Sequence, residues 1–346
     1  MRNKLIKILS FALVFCIIFY VLQNIFIYRW SASDDSYSKN IFFQKEKPDS
    51  IDVLFFGTSE IYEDLIPMEI YNEEGITSFN FATSWKSGLT SYYLLRYALK
   101  YQTPKVVVCD FAALFEEELD ENLCRKTYET LPDNQLKEEL LRDICAVDPK
   151  QKRINYYFPL LQYHSMWNDL SDINFKPYDK MSSKYLECDK GSLLNDTVVD
   201  SMKHFDEITA DMWTADETSV DLVPIQRHFY DKMIELCSQN GITVIALIPP
   251  KLSETSIKTA RWDTMKRYFD ENGVVVCDYN NYEKYSELGL DYDTDYYDDD
   301  HLTKYGARKL SGDFAGYLKD SFDLPDRRGE LDNWNLLLED YYKEHW

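Results

Sequence analysis

The chain predicts an α/β body: a parallel sheet of about five strands in a three-layer, flavodoxin-like arrangement, with helices on both faces. Three observations predict it. Short apolar runs recur at 51–57, 105–111 and 242–248, each closed by residues that end a strand. Helix-length amphipathic stretches separate them. The runs are apolar throughout rather than alternating, as strands covered on both faces must be. An N-terminal transmembrane helix and a mainly helical insertion complete the expected architecture.

In chain order, Arg2, Lys4 and Lys7 precede an apolar run at 8–28 that is broken only by Ser10, Gln23 and Asn24. As a helix it would be about 30 Å long, enough to cross the hydrocarbon layer of a bilayer. The bases lie before the run, whereas Asp34 and Asp35 follow it. Residues 1–7 are therefore expected in the cytoplasm and everything after Trp30 outside, with Tyr28 and Trp30 at the outer headgroups. The alternative is a cleaved signal peptide, for which Ser31-Ala32-Ser33 would serve as the processing site. The run exceeds a typical signal core, which favours a single-pass anchor, and either reading exports the body. Residues 29–48 read as a polar tether.

The body is expected over 49–322. Its first strand is 51–57, ended by Gly57, and a weaker candidate lies at 78–82. A helix is expected over 88–101, stopped by Thr103-Pro104, and a third strand over 105–111. A helix over 225–240 ends at Gly241, the expected position for a left-handed cap. The fourth strand, 242–248, stops at Pro249-Pro250; a helix over 253–271, a strand over 273–278 and an amphipathic helix over 303–318 follow. Between 115 and 222 the pattern dissolves into charged helical pieces such as 136–144 and a Tyr- and Asn-rich stretch at 155–179. This insertion either packs over the active edge of the sheet or is a peripheral structural insert. The tail, 323–346, is acidic and aromatic, with Trp334, Leu336, Leu337 and Leu338 available to dock on the body.

The chain carries 60 acidic and 38 basic side chains, a formal net charge of −22. Such a surface excludes nucleic acid and anionic lipid as expected partners and suits neutral or cationic substrates. Seven cysteines are scattered without a CxxC pair or zinc-type spacing, so neither a metal nor another cofactor is expected. Buried free thiols are the expectation for them.

Two segments carry chemistry. Ser59 follows Gly57-Thr58 directly after the first strand, where a helix should begin. Glycine there permits a sharp turn, and a serine at a helix start lies near unpaired backbone N–H groups that suit an oxyanion. Taken alone, the same residue reads as an ordinary helix cap, the commoner fate of such a serine. His301 supplies an imidazole that can take and return the serine proton, and Asp298, three residues earlier, can fix its tautomer. Asp295, Asp299 and Asp300 crowd the same turn, so Asp298 is chosen by spacing. An acidic lead-in to a helix also arises from the helix dipole alone.

Taken together, G-T-S-E at 57–60 and D-D-D-H-L-T-K-Y-G-A at 298–307 resemble the nucleophile and D-x-x-H blocks of the SGNH/GDSL hydrolase superfamily over residues 51–320. The resemblance implies Ser59 as nucleophile, His301 as base and Asp298 as its partner. I-P-P-K at 248–251 and F-P-L-L-Q-Y-H-S-M-W at 158–167 are similar to the branch of membrane-anchored envelope acyl-transfer proteins, that of the teichoic-acid D-alanyl transfer protein. That branch implies an acylated cell-envelope polysaccharide or teichoic polymer as substrate and a membrane-bound O-acyltransferase as partner. The superfamily's G-x-N-D block is absent: Cys109-Asp110-Phe111-Ala112-Ala113 stands there instead. The oxyanion would then use the Ser59 N–H and a donor from 82–86, with Ser84 the first candidate. Asn80 is the nearest amide side chain, although it also suits a structural role closing the second strand. His164 is either a substrate contact from the insertion or a packed core residue. The expected function is an extracytoplasmic serine acyl-esterase or O-acyltransferase. The alternative is a non-catalytic scaffold that keeps the fold and binds envelope polymer or an acyltransferase.

Overall fold

The computed structural model describes residues 2–26, 36–84, 87–117, 119–168, 170, 172–175, 186–198, 221–252 and 261–346. Its centre is a five-stranded, all-parallel sheet formed by β1 (Val53–Phe56), β2 (Ser78–Asn80), β3 (Val106–Cys109), β4 (Thr243–Ile248) and β5 (Val275–Asp278). The order is β2-β1-β3-β4-β5. Val53 pairs with both Ser78 and Val106, Val106 with Thr243, and Ile245 with Val275. The strands fall inside the predicted runs and are shorter than them. In particular, β2 ends at Asn80, although bonds to the β1 edge run on past it, from Phe81 N–H to Phe55 O at 2.8 Å and from Thr83 N–H to Gly57 O at 3.2 Å.

Phe55 and Phe56 leave β1 on opposite sides, as adjacent strand residues must. Phe55 meets Phe314, at 6.5 Å between ring centroids, while Phe56 stacks on Phe81 at 5.7 Å. The four β1 residues and the four β3 residues are all buried.

The helices, in chain order, begin with α1 (Arg2–Ile25) and α2 (Ser36–Lys45). Next come α3 (Ser59–Asp64), α4 (Pro67–Glu74) and α5 (Gly88–Ala98). The insertion supplies α6 (Glu121–Thr130), α7 (Asn134–Val147), α8 (Arg153–Tyr157) and α9 (Pro159–Tyr163). The chain closes with α10 (Pro224–Gln239), α11 (Arg261–Asn272), α12 (Tyr282–Glu287), α13 (Lys304–Ser321) and α14 (Asp332–His345). Packing pairs α5 with α10, and α13 with both α3 and α4. Local rules explain several boundaries. Ser87 and Thr90 form a capping box at the start of α5. Thr303 caps α13 by accepting the Gly306 N–H. Asn240 ends α10, and Gly241 then takes φ +69°, a conformation that side chains resist. Residues 253–260, the first part of the helix expected over 253–271, lie outside the described residues.

Of the expected tether, 29–48, residues 29–35 lie outside the described residues, and 36–45 form α2, which packs on the body instead of hanging free. Lys39 Nζ donates to Ala82 O at 2.5 Å, Asn40 Nδ2 to Thr130 O at 3.0 Å, and the Phe43 ring lies 4.7 Å from that of Phe81. Lys39, Asn40 and Phe43 share one helix face, so a segment of modest apolar content can still bury a continuous stripe. The tail docks through Trp334, Leu337 and Leu338 as expected, with Tyr341 in addition, and only Leu336 of the expected four is exposed, at 62 %. Trp334 Nε1 donates to Glu46 Oε2 at 3.0 Å, and Glu46 pairs with Lys190 at 2.5 Å. Three remote segments thus meet at one buried ion pair. The expected helical insertion is present as α6–α9, with α6 against α2, α7 against α5 and α9 against α1. Of the 155–179 stretch, residues 169, 171 and 176–179 lie outside the described residues.

Candidate active site

In an open parallel sheet, ligands gather beyond the carboxyl ends of the strands where the order reverses. Here that point lies between β1 and β3, since β2 continues from β1 one way and β4 from β3 the other. The chain leaves β1 through Gly57 at φ +129° and enters α3 at Ser59. Thr58, not Ser59, is the N-cap residue, and Ser59 occupies the first helical position. Thr58 is held across the reversal point by Asp110, the residue just past β3. Its N–H and its hydroxyl donate to Asp110 Oδ2 at 2.6 and 2.7 Å, and the Ala112 N–H donates to Oδ1 at 3.0 Å. Burial, with Glu60 nearby, pushes the Asp110 carboxyl up to about 6.

The second half of the site is a tight loop before α13. Tyr297 N–H donates to His301 O at 2.8 Å, and Tyr296 bridges Leu302 in antiparallel fashion. Inside the loop, Asp298 Oδ1 accepts the backbone N–H groups of Asp300 and His301, each at 2.9 Å. The loop is anchored to α3 by the Leu302 N–H, which donates to the buried Asp64 at 2.8 Å.

These two halves bring a hydroxyl, an imidazole and a carboxylate into one line. His301 Nε2 stands 2.8 Å from Ser59 Oγ, although the residues are 242 positions apart. On the other side of the ring, Nδ1 donates to Asp298 Oδ1 at 2.7 Å. Of the four acids in the turn, Asp298 is thus the one bonded to the ring. Burial opposes charge on His301, but the Asp298 hydrogen bond and the charges of Asp64 and Glu63 outweigh it and raise its pKa to about 9. Burial likewise opposes charge on Asp298, yet the His301 bond and charge and two backbone donors hold its carboxyl below the usual value. Burial drives the Asp64 carboxyl well above its usual value.

Lys251, three residues past β4, forms an ion pair with Glu60 on the first turn of α3. Burial opposes the Lys251 charge, and Glu60, Asp300 and Asp110 more than restore it. Leu252 N–H donates to Asp299 O at 2.8 Å, which ties the β4 exit to the histidine loop.

The remaining expected residues sit as follows. Ser84 Oγ is 3.0 Å from the Tyr62 hydroxyl at the edge of α3. Trp85 and Lys86, from the same expected oxyanion segment, lie outside the described residues. Asn80 is fully buried, donating to Ile61 O at 2.9 Å and accepting the Ala82 N–H at 3.0 Å. Its amide is spent on the backbone on either side of β2. His164 is exposed at the end of α9, with Nδ1 3.0 Å from Leu161 O, and has no hydrogen bond to Ser59 or His301. It is therefore neither a core residue nor joined to the triad.

Sequence reasoning passed over Asp110, Asp64 and Lys251. Asp110 and Lys251 were legible from their places just past β3 and β4. Asp64 lies at the end of a six-residue helix and carries no local signal. Among the described residues, one group of metal-type side chains occurs: Cys188, Asp189 and His345 hold their ligand atoms within 4.8 Å of one another. His345 Nε2 and Asp189 Oδ1 are already joined at 2.6 Å, pinning the end of α14 to the 187–189 turn. The seven cysteines are unpaired.

The chain matches no family model. No curated protein matches it in sequence.

Proposed function

We propose that this chain is a membrane-anchored serine acyl-esterase or O-acyltransferase of SGNH/GDSL type, working outside the cytoplasm through an acyl-serine intermediate. The observation that carries the reading is the unbroken line Ser59 Oγ, His301 Nε2, His301 Nδ1, Asp298 Oδ1, with contacts of 2.8 and 2.7 Å at the strand ends. The strand order supports a flavodoxin-like, three-layer body. Helix α1, long and apolar enough to span a bilayer, supports the anchor. The substrate class, acyl esters of a cell-envelope glycan or teichoic polymer, and a membrane-bound O-acyltransferase partner come from the motif resemblance.

In this mechanism the neutral His301 ring takes the Ser59 proton as Oγ attacks the acyl carbonyl. The imidazolium that forms is held by Asp298 and returns the proton to the leaving alcohol. Water or an acceptor hydroxyl, deprotonated by the same ring, then attacks the acyl-serine and releases an acid or a new ester. The first-turn N–H of Ser59 and the Ser84–Tyr62 hydroxyl pair are the proposed donors to the tetrahedral oxyanion. Glu60, Glu63 and Asp300 around the serine favour a neutral or cationic acyl group over an anionic one.

A fluorophosphonate probe tests the reading on the full chain in detergent. Wild type labels at Ser59, and Ser59→Ala does not, while both melt at the same temperature. A folded wild type that fails to label overturns the enzyme and favours a scaffold of the same fold.

A further inference from the structure

Among the described residues, eleven large apolar side chains are exposed outside α1, and six of them fall between 154 and 175. They are Ile154, Tyr157, Phe158, Leu161, Trp167 and Phe175, with Leu161, Trp167 and Phe175 at 51, 66 and 64 % exposure. A water-soluble surface rarely gathers so much apolar area in one stretch without something to cover it. The covering is indicated by what the stretch touches.

It is fastened to the outer end of α1. The Phe158 and Phe19 rings lie 5.8 Å apart, the Leu160 N–H donates to Gln23 Oε1 at 2.6 Å, and Asn174 Nδ2 donates to Ile25 O at 3.1 Å. The apolar window of α1 buries nothing against the body, so a bilayer around α1 would have free access to it. Helix α1 ends at Ile25, short of the run expected to span to 28, which sets the outer boundary near Ile25; from Phe19 to that end the helix rises about 9 Å, close to the depth of one headgroup and acyl boundary layer. A lipid surface at that level must run against residues 154–175.

We infer that residues 153–168 and 172–175 are an interfacial element: α8, α9 and the turns after them lie in the outer headgroup layer, with Tyr157, Phe158, Leu161, Trp167 and Phe175 dipped into lipid. Aromatic side chains suit that layer, apolar at the ring and wet at the polar tip. The body is then gripped at two places rather than hung from one helix, which fixes its height and its tilt above the membrane. The cleft between Phe19 and Tyr20 of α1 and Tyr128, Tyr156 and Phe158 opens at the same level and is filled by lipid chains. This inference rests on α1 being a membrane anchor.

The test uses the full chain in phosphatidylcholine vesicles doped with a phosphatidylcholine that carries a diazirine near the glycerol, with adducts mapped by mass spectrometry. Adducts are expected on α1 and on 154–175, and not on α14, although its Leu336 is 62 % exposed. A variant carrying Leu161→Asp, Trp167→Glu and Phe175→Asp should keep its α1 adducts and its melting temperature while the 154–175 adducts fall about fivefold or more. Adducts on α1 with 154–175 labelled no more than α14 overturn the inference and leave the anchor standing. A chain without adducts on α1 loses the anchor, and this inference with it.

Discussion

Gly57 and Asp110 divide a space that a single methyl group would overfill: a Cβ on Gly57 would lie 2.6 Å from Asp110 Oδ2 and 2.8 Å from Oδ1. The carboxylate fills the room left by the missing side chain and from there holds Thr58, the residue before Ser59, the proposed nucleophile. Gly57→Ala therefore meets both a clash and an unfavourable φ of +129°. It should cost about 2–4 kcal/mol in chemical denaturation and reduce fluorophosphonate labelling in whatever fraction stays folded.

Asp110→Asn keeps the shape and changes the hydrogen bonding. Three donors point at this carboxylate, from Thr58 N–H, Thr58 Oγ1 and Ala112 N–H. An amide offers one oxygen, so at least one donor faces an NH2 group. The variant should lose about 1–3 kcal/mol of stability. Because the Ser59 turn loosens, kcat should fall more than KM rises, read from ester hydrolysis.

The charge on His301 sets a pH dependence. Its pKa lies near 9 in the folded protein and near 6.5 in a free histidine, so folding favours the protonated ring. That stabilisation is complete below about pH 6.5 and is lost as pH rises through about 9. Activity runs the other way, because only the neutral ring can accept the Ser59 proton: kcat/KM should rise with pH to a limb near 9. Asp298→Asn removes the main charged partner. Its limb should move toward the ordinary histidine value, with a maximal rate lower by about 10²–10⁴-fold. A limb that stays in place in this variant would show that Asp298 does not set the charge on the ring.

The buried pair of Glu46 and Lys190 predicts an asymmetric outcome. Both side chains are almost completely buried, and Trp334 Nε1 bonds the same carboxylate. Glu46→Leu strands the Lys190 ammonium and the indole N–H, at about 3–5 kcal/mol in a denaturation midpoint. Adding Lys190→Met should return most of that loss, since the stranded charge is then gone.

Several features of this protein can be read from local pattern alone. Apolar runs of strand length with helices between them determine the class of fold. Gly57-Thr58-Ser59 after the first run and Asp298-x-x-His301 before the last helix mark the two segments that carry chemistry. All of these depend on neighbours within a turn or a strand, which is the range over which side-chain periodicity and backbone preference act. Other features depend on where the chain returns. Strand order decides that Thr58 and Asp110 face one another, and the docking of the histidine loop on Asp64 decides that His301 reaches Ser59. Which acid is bonded to His301, and that the Asn80 amide is spent on Ile61 O, Ser192 Oγ and the Ala82 N–H, are settled by hydrogen-bond geometry. The same holds for residues 36–45, where Lys39, Asn40 and Phe43 look ordinary until the body supplies their partners. Most of these contacts join residues tens to hundreds of positions apart, and their energy belongs to the packed pair, so only the tertiary structure could decide them.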